Sequence, residues 1–118
     1  MDITYTEIKD DAQYTYLTLR KERAQSLHNI FYAFLEDYIC SIHVTHNFTE
    51  KASVYISFTR ILIDNNEDYS FLKDELDEVI KLIDKEKIKD EIGEEEFCGF
   101  EKDLNTILRK NKNTNKND

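Results

Sequence analysis

The sequence predicts an α+β fold, in which residues 1–109 form a single two-layer domain with an antiparallel sheet and helices mainly on one face. Three observations lead to this prediction. Two pairs of short segments alternate apolar and polar residues, longer segments carry apolar residues at three- and four-residue spacing, and 118 residues suffice for one core. The expected order of elements is ββαββαα.

The first predicted hairpin lies at the start of the chain. Residues 3–8 and 13–19 are rich in Thr, Tyr, Ile and Leu, and β-branched and aromatic residues favour strands. The polar residues 9–12 between them are typical of a turn. Because the alternation is imperfect, residues 12–19 are also compatible with the first turns of a helix.

The first predicted helix begins near Arg20 and extends over about 18 residues. Its apolar side chains recur at three- and four-residue spacing, so we expect one face to point into the core. The residues on this face are Ala24, Leu27, Phe31, Phe34 and Tyr38.

The second predicted hairpin is formed by residues 40–45 and 52–63. In much of both segments an apolar residue stands at every second position, which is the period of a strand. In the second of these strands, Val54, Ile56 and Phe58 share one face. Residues 61–63 are apolar without interruption, so we expect the end of this strand to be covered on both sides.

The last part of the chain predicts two more helices and a tail. Ser70 is a candidate N-cap for the second helix, and Gly93 is a candidate C-cap. The third helix begins near Glu94, and the polar, low-complexity residues 110–118 predict a disordered tail. The apolar residues that define the two helices are Leu72, Leu76, Val79, Ile80, Ile83, Phe97, Phe100, Leu104, Ile107 and Leu108.

The formal net charge of −9 is concentrated in residues 64–104, which we call the acidic segment. This segment contains sixteen acidic and six basic residues, whereas residues 1–63 are nearly neutral and residues 105–118 are basic. Because phosphates attract basic surfaces, this distribution argues against direct binding to nucleic acid or anionic membranes. No stretch is apolar enough for a membrane span and no secretory signal is evident, so we expect a cytoplasmic location.

Three groups of residues invite a chemical interpretation, and in each case a structural explanation is stronger. Cys40, His43 and His46 could supply zinc ligands, but residues three apart on a strand point to opposite faces. Cys98 follows three glutamates, which disfavour a reactive thiolate, so packing on a helix explains it better. Residues 94–96 could bind a cation weakly, but they lack the calcium-loop pattern, and acids at a helix start are stabilised by the helix dipole.

No catalytic constellation is recognisable in the sequence. The chain lacks the G-x-G-x-x-G and G-x-x-x-x-G-K-[ST] elements that hold nucleotide phosphates, and it contains only two glycines. His28 has no serine, cysteine or carboxylate at a suitable spacing, so we expect it at the boundary of the core. We therefore predict a protein that is not an enzyme and has no cofactor or metal.

The carboxylates and tyrosines predict a protein-binding surface for a basic partner. Tyrosine is frequent at interface hot spots, and carboxylates on helices can steer an encounter or imitate a row of phosphates. Lysine–carboxylate pairs along a merely solvated helix are the alternative interpretation of the same charges. The predicted partner-binding residues are Asp74, Asp77, Glu78, Asp84, Glu94, Glu95, Glu96, Tyr14, Tyr16 and Tyr69.

In size and charge the chain resembles the small acidic inhibitors that phages and mobile elements encode against restriction and CRISPR systems, although it carries no family motif. This resemblance implies an inhibitor or antagonist of a nucleic-acid-binding protein or a nuclease, acting as a nucleic-acid mimic. The alternative is a homo-oligomeric regulatory or structural subunit, such as a homodimer, in which an exposed apolar patch joins two copies.

Overall fold

The computed structural model describes residues 4–39 and 48–116, and within these ranges every regular element is a helix. Six α-helices lie in these ranges, and the first continues directly into a π-helix. The elements are α1 (Tyr5–Thr15), the π-helix (Tyr16–Glu22), α2 (Leu27–Ile39), α3 (Phe48–Asp64), a 3-10 turn (Ser70–Leu72), α4 (Lys73–Lys81), α5 (Lys85–Ile92) and α6 (Glu94–Lys116). None of these helices is long and apolar enough to cross a membrane.

The predicted α+β fold with its ββαββαα order is therefore wrong. Residues 5–19, predicted as a hairpin, lie in α1 and the π-helix, and residues 52–63, predicted as a strand, lie in α3. The predicted strand over residues 40–45 lies entirely among residues 40–47, which are outside the described part of the chain. No strand occurs in either described range, so the two-layer architecture is replaced by helices packed on helices.

Helix α3 lies at the centre of the fold, where it packs against α1, α2, α4 and α6. Twelve of its seventeen residues are buried, including Ser53, Ser57 and Thr59. The Ser53 hydroxyl donates to the Thr49 carbonyl oxygen (2.8 Å) and the Ser57 hydroxyl to the Val54 carbonyl oxygen (3.3 Å). Because the two serine hydroxyls bond to the helix itself, they are buried beside apolar side chains, and the alternation of polar and apolar residues does not mark a solvent-facing side.

Helix α1 buries a stripe with helical spacing, made of Tyr5, Ile8 and Ala12, which continues with Tyr16 in the π-helix. The Thr4 side chain caps the helix by accepting a hydrogen bond from the backbone N–H of Glu7 (3.1 Å). The threonines and tyrosines that favour a strand are therefore divided between a buried face and an exposed face of a helix.

The sequence predicts that the first helix begins near Arg20, but α2 begins at Leu27. Ala24, predicted in its core face, is exposed and has a φ of 53°, the left-handed conformation of a connection. The centre of the predicted face is confirmed. Phe31 and Phe34 are buried, and both contact the ring of Phe58 on α3.

The second and third predicted helices are confirmed, although the second is divided into α4 and α5. The Asp84 side chain accepts a hydrogen bond from the Lys87 N–H (3.3 Å) and so starts α5. Gly93 ends α5 with a φ of 89°, which favours glycine. Helix α6 reaches Lys116 and so includes most of the segment for which composition predicts a disordered tail.

Candidate functional site

The carboxylates predicted to bind a partner lie on α4, α5 and the first turn of α6, with Asp84 at the start of α5. Each of these helices directs a few apolar residues inward, such as Leu76 and Val79 on α4 and Ile88 on α5. The acidic residues occupy the remaining, solvated positions. Only Asp77 and Glu96 of the seven predicted carboxylates are partly shielded, and Asp74, Glu78, Asp84, Glu94 and Glu95 are exposed.

Three of the predicted carboxylates form ion pairs at the surface. Asp77 pairs with Lys73 (3.5 Å), Glu78 with Lys81 (3.3 Å) and Glu94 with Lys89 (3.6 Å). Solvent screens such exposed pairs, so each contributes little to stability, but each lysine reduces the negative field of its partner.

Two further predicted carboxylates have structural roles. Asp84 is the N-cap of α5, and Glu96 connects the start of α6 to the start of α1. The two carboxylate oxygens of Glu96 accept hydrogen bonds from the Thr6 N–H (2.7 Å) and the Thr6 hydroxyl (3.1 Å). Substituting either residue would therefore disturb the fold as well as the surface charge.

Within the acidic segment, four exposed carboxylates have no ion pair or hydrogen bond to the described residues: Asp74, Glu86, Asp90 and Glu95. Two of them, Asp74 and Glu95, are among the predicted site residues. Glu86 and Asp90 are absent from that prediction, although Ile88 is the buried residue of α5 and both lie two positions from it. Residues two positions apart lie on opposite sides of a helix, so the spacing from Ile88 could have identified both residues as exposed from the sequence.

The three predicted tyrosines are in different environments. The side chain of Tyr14 is 68% exposed and fits the expectation of a surface anchor. Tyr69 is half-buried, and its hydroxyl donates to the Asn111 side-chain oxygen (2.9 Å). Tyr16 is fully buried and its hydroxyl donates to Glu67 (2.6 Å), so the prediction that it is an exposed anchor is wrong. Burial, together with this hydrogen bond, raises the pKa of Tyr16 to about 12.

The residues considered for metal or thiol chemistry form no cluster in the described ranges. Cys40, His43 and His46 lie outside those ranges, and no group of three metal-ligating side chains occurs within them. Cys98 lies on a helix, α6, as the sequence predicts, and it is exposed. His28 lies at the surface, where its ring contacts Tyr32 with a centroid distance of 4.7 Å.

A cavity of about 310 Å³ lies between α1, α3 and α6, and its polar centre is Asp103. The side chain of Asp103 is 2% exposed and accepts hydrogen bonds from the Tyr5 hydroxyl (2.6 Å), Lys9 Nζ (2.9 Å) and Arg60 Nη1 (3.0 Å). Burial, followed by the charge of Asp103, raises the pKa of Tyr5 far above its ordinary value. Thr6, Gly99 and Lys102 complete the lining. The sequence prediction includes none of these residues.

A second cavity, of about 280 Å³, lies between the connection before α4 and the C-terminal half of α6. Glu67 and Tyr69 line one side, and Asn111 lines the other. Arg20 and Tyr16 both donate hydrogen bonds to Glu67, which lowers the pKa of its carboxyl group. This cavity mixes charges of both signs, and the Tyr69–Asn111 hydrogen bond joins its two sides.

Comparison with known proteins finds no matching family model, no matching curated protein and no matching solved structure. Inference about function therefore starts from the charges and cavities of the chain itself.

Proposed function

We propose that the protein is a non-enzymatic acidic binding module that inhibits or antagonises a partner with a basic surface, such as a nuclease or another nucleic-acid-binding protein. The observation that supports this proposal is the set of unpaired, exposed carboxylates on α4, α5 and the first turn of α6: Asp74, Glu86, Asp90 and Glu95.

The position of Asp90 argues against a purely structural origin of these charges. Asp74, Glu86 and Glu95 lie in the first turns of their helices, where the helix dipole stabilises a negative charge. Asp90 lies near the end of α5, where the dipole opposes a negative charge. Helix stability therefore accounts for three of the four carboxylates but not for Asp90.

Charge also explains how such a surface would choose its partner. A surface that binds phosphates carries lysine and arginine, and exposed carboxylates attract it over a distance of about one Debye length, ~10 Å at 0.1 M salt. This attraction raises the association rate more than it lowers the dissociation rate. The proposed complex should therefore form more slowly as salt increases.

The test compares two fourfold variants that remove the same charge from different parts of the molecule. The first is Asp74→Asn, Glu86→Gln, Asp90→Asn and Glu95→Gln. The matched control is Asp10→Asn, Glu22→Gln, Glu36→Gln and Asp37→Asn, whose residues are exposed on α1, the π-helix and α2. Each tagged variant is used to capture proteins from host extract, and circular dichroism confirms that both are folded.

The proposal predicts a partner that the unmodified chain and the control variant capture and the first variant does not. The association rate of that purified partner should fall by about tenfold or more between ~20 and ~150 mM salt. Equal capture by the two variants, or an association rate that does not change with salt, contradicts the proposal.

A homo-oligomeric subunit is the second candidate, and a different surface supports it. Tyr14 and Leu17 are both exposed and lie three residues apart where α1 joins the π-helix. Two neighbouring apolar side chains of this size can join two copies of a chain. Light scattering over a range of concentrations tests this candidate. A dimer that Leu17→Glu converts to a monomer supports it, and a monomer at every concentration contradicts it.

A further inference from the structure

The cavity between α1, α3 and α6 collects cations from three separate helices. Lys9 comes from α1, Arg60 from α3 and Lys102 from α6. The only carboxylate among the described residues that line the cavity is Asp103. The lining therefore carries an excess of two positive charges within a chain whose formal net charge is −9.

The hydrogen-bond acceptors around this cavity are already used. Asp103 accepts from Tyr5, Lys9 and Arg60, so both of its oxygens are occupied. The two carboxylates beside the lining residues are also held in place, because Asp64 accepts from Arg60 Nε (2.9 Å) and Glu96 accepts from Thr6. Asp103 thus orients two cations, and each of its oxygens already accepts at least one hydrogen bond.

Several donors, in contrast, have no acceptor among the described residues. Arg60 uses Nε for Asp64 and Nη1 for Asp103 and Thr106, which leaves both N–H groups of Nη2. Lys9 Nζ donates to Asp103 alone and carries two more N–H groups. Lys102 Nζ has no ion pair or hydrogen bond in the described ranges. The cavity is therefore rich in donors and poor in acceptors, as expected for a site that takes an anion.

Gly99 gives an independent reason to consider a ligand here. It lies inside α6, where glycine is less favourable than alanine, and it has no positive φ that would require glycine. A Cβ atom at this position would approach Tyr5 Cδ2 to 3.8 Å, which is ordinary van der Waals contact. Neither backbone conformation nor packing requires a glycine here, and the residue lies in the wall of the cavity.

We propose that this cavity binds a phosphate monoester group of a small molecule. A carboxylate has two oxygens, which one guanidinium group can satisfy, whereas a phosphate offers three oxygens to cations that approach from three helices. A phosphate monoester carries a charge of about −1.5 to −2 at pH 7, so cations attract it more strongly than they attract a carboxylate. The volume of about 310 Å³ is near the lower limit for small-molecule sites.

The experiment titrates the full chain with inorganic phosphate at constant ionic strength and follows backbone amide shifts by NMR. Acetate, titrated in the same way, is the carboxylate probe. Lys102→Gln removes a cation that has no structural partner, and Lys81→Gln on α4 removes one that is remote from the cavity lining. We expect saturable shifts at Gly99 and Lys102 with phosphate, weaker binding of acetate, and an affinity for phosphate about tenfold lower in Lys102→Gln but not in Lys81→Gln.

Gly99→Ala separates binding from folding. Alanine should raise Tm by about 2–4 °C because it favours the helix, while its methyl group narrows the cavity and weakens phosphate binding. Shifts that do not saturate, equal binding of acetate, or equal weakening by Lys81→Gln and Lys102→Gln would each overturn the proposal. An unchanged phosphate affinity in Gly99→Ala would also overturn it. None of these outcomes depends on the four carboxylates of the proposed partner surface.

Discussion

Helices α3 and α4 pack against each other but lie in opposite environments. Twelve of the seventeen residues of α3 are buried, whereas two of the nine residues of α4 are. A helix with a solvated face shows its period in the alternation of apolar and polar residues, but a helix covered by its neighbours has no such face. The spacing of apolar residues along a helix therefore depends on how much of the helix is exposed as well as on its conformation.

The same difference applies to the charges of the two helices. Glu50 on α3 is 8% exposed, and burial raises the pKa of its carboxyl group. Glu78 on α4 is exposed and pairs with Lys81 in solvent. The charge of Glu50 therefore affects stability in a pH-dependent way, whereas the charge of Glu78 lies in solvent.

The largest expected effect in this comparison is that of Phe58→Ala on α3. Phe58 is fully buried and contacts the rings of Phe31 and Phe34, so its removal leaves a cavity between α2 and α3. We expect a loss of about 3–5 kcal/mol in the free energy of unfolding. Urea denaturation followed by circular dichroism measures this loss.

Leu82→Ala is the control for that substitution, since Leu82 is a large apolar residue at the end of α4 that is 67% exposed. The free energy of unfolding of the Leu82→Ala variant should change by less than about 0.5 kcal/mol. Equal losses in the two variants would contradict the central position of α3.

An intermediate effect is expected from Glu67, which lies in the connection between α3 and α4. Hydrogen bonds from Arg20 and Tyr16 lower the pKa of Glu67 from its ordinary value of 4.5, so its charge stabilises the folded state above that value. Glu67→Gln should cost about 1 kcal/mol at pH 7, and the cost should disappear as the pH falls through the lowered pKa. Urea denaturation at a series of pH values measures it.

Substituting Glu50 should change the free energy of unfolding in the opposite direction in the same series of pH values. Because burial raises its pKa, the charged form of Glu50 destabilises the folded state at pH values above that raised pKa. Glu50→Gln should therefore increase stability at pH 7, and this gain should disappear as the pH falls and the carboxyl group takes up a proton. Parallel pH profiles for the two variants would contradict the assignment of their environments.

The smallest effect is expected on α4, where Glu78 and Lys81 form an exposed ion pair of 3.3 Å. A double-mutant cycle with Glu78→Gln and Lys81→Gln should give a coupling energy below about 0.5 kcal/mol that vanishes at high salt. A larger coupling that persists in high salt would show that α4 is less solvated than its exposed side chains indicate.

The helices of the acidic segment could be predicted because each has one apolar face and recognisable ends. Leu76 and Val79 face the core from α4, Asp84 caps the start of α5, and Gly93 ends it. In contrast, threonine, tyrosine and β-branched residues favour strands, so the sequence predicts strands where α1 and α3 lie. In α1 the stripe of Tyr5, Ile8 and Ala12 was nevertheless present at helical spacing and could have been recognised.

The two candidate sites differ in the same way. Exposed carboxylates such as Asp74 and Glu95 can be inferred from a charged segment, because no long-range contact is needed to leave a surface charge in water. The phosphate-binding cavity could not be inferred, since Lys9, Arg60 and Lys102 are far apart in the chain and meet only when α1, α3 and α6 pack. The burial of Tyr16 depends on such packing as well.

The concentration of negative charge between residues 64 and 104, and the helices that carry it, follow from the sequence alone. The conformation of residues 5–19 and 52–63 was decided by tertiary structure, as was the set of side chains around Asp103. The physical reason is one of magnitude. Intrinsic preferences for helix or strand differ by about 1 kcal/mol or less for most residues, whereas burying one large apolar side chain contributes about 1.5–3 kcal/mol. A central helix that buries most of its side chains therefore overrides the local preference for a strand.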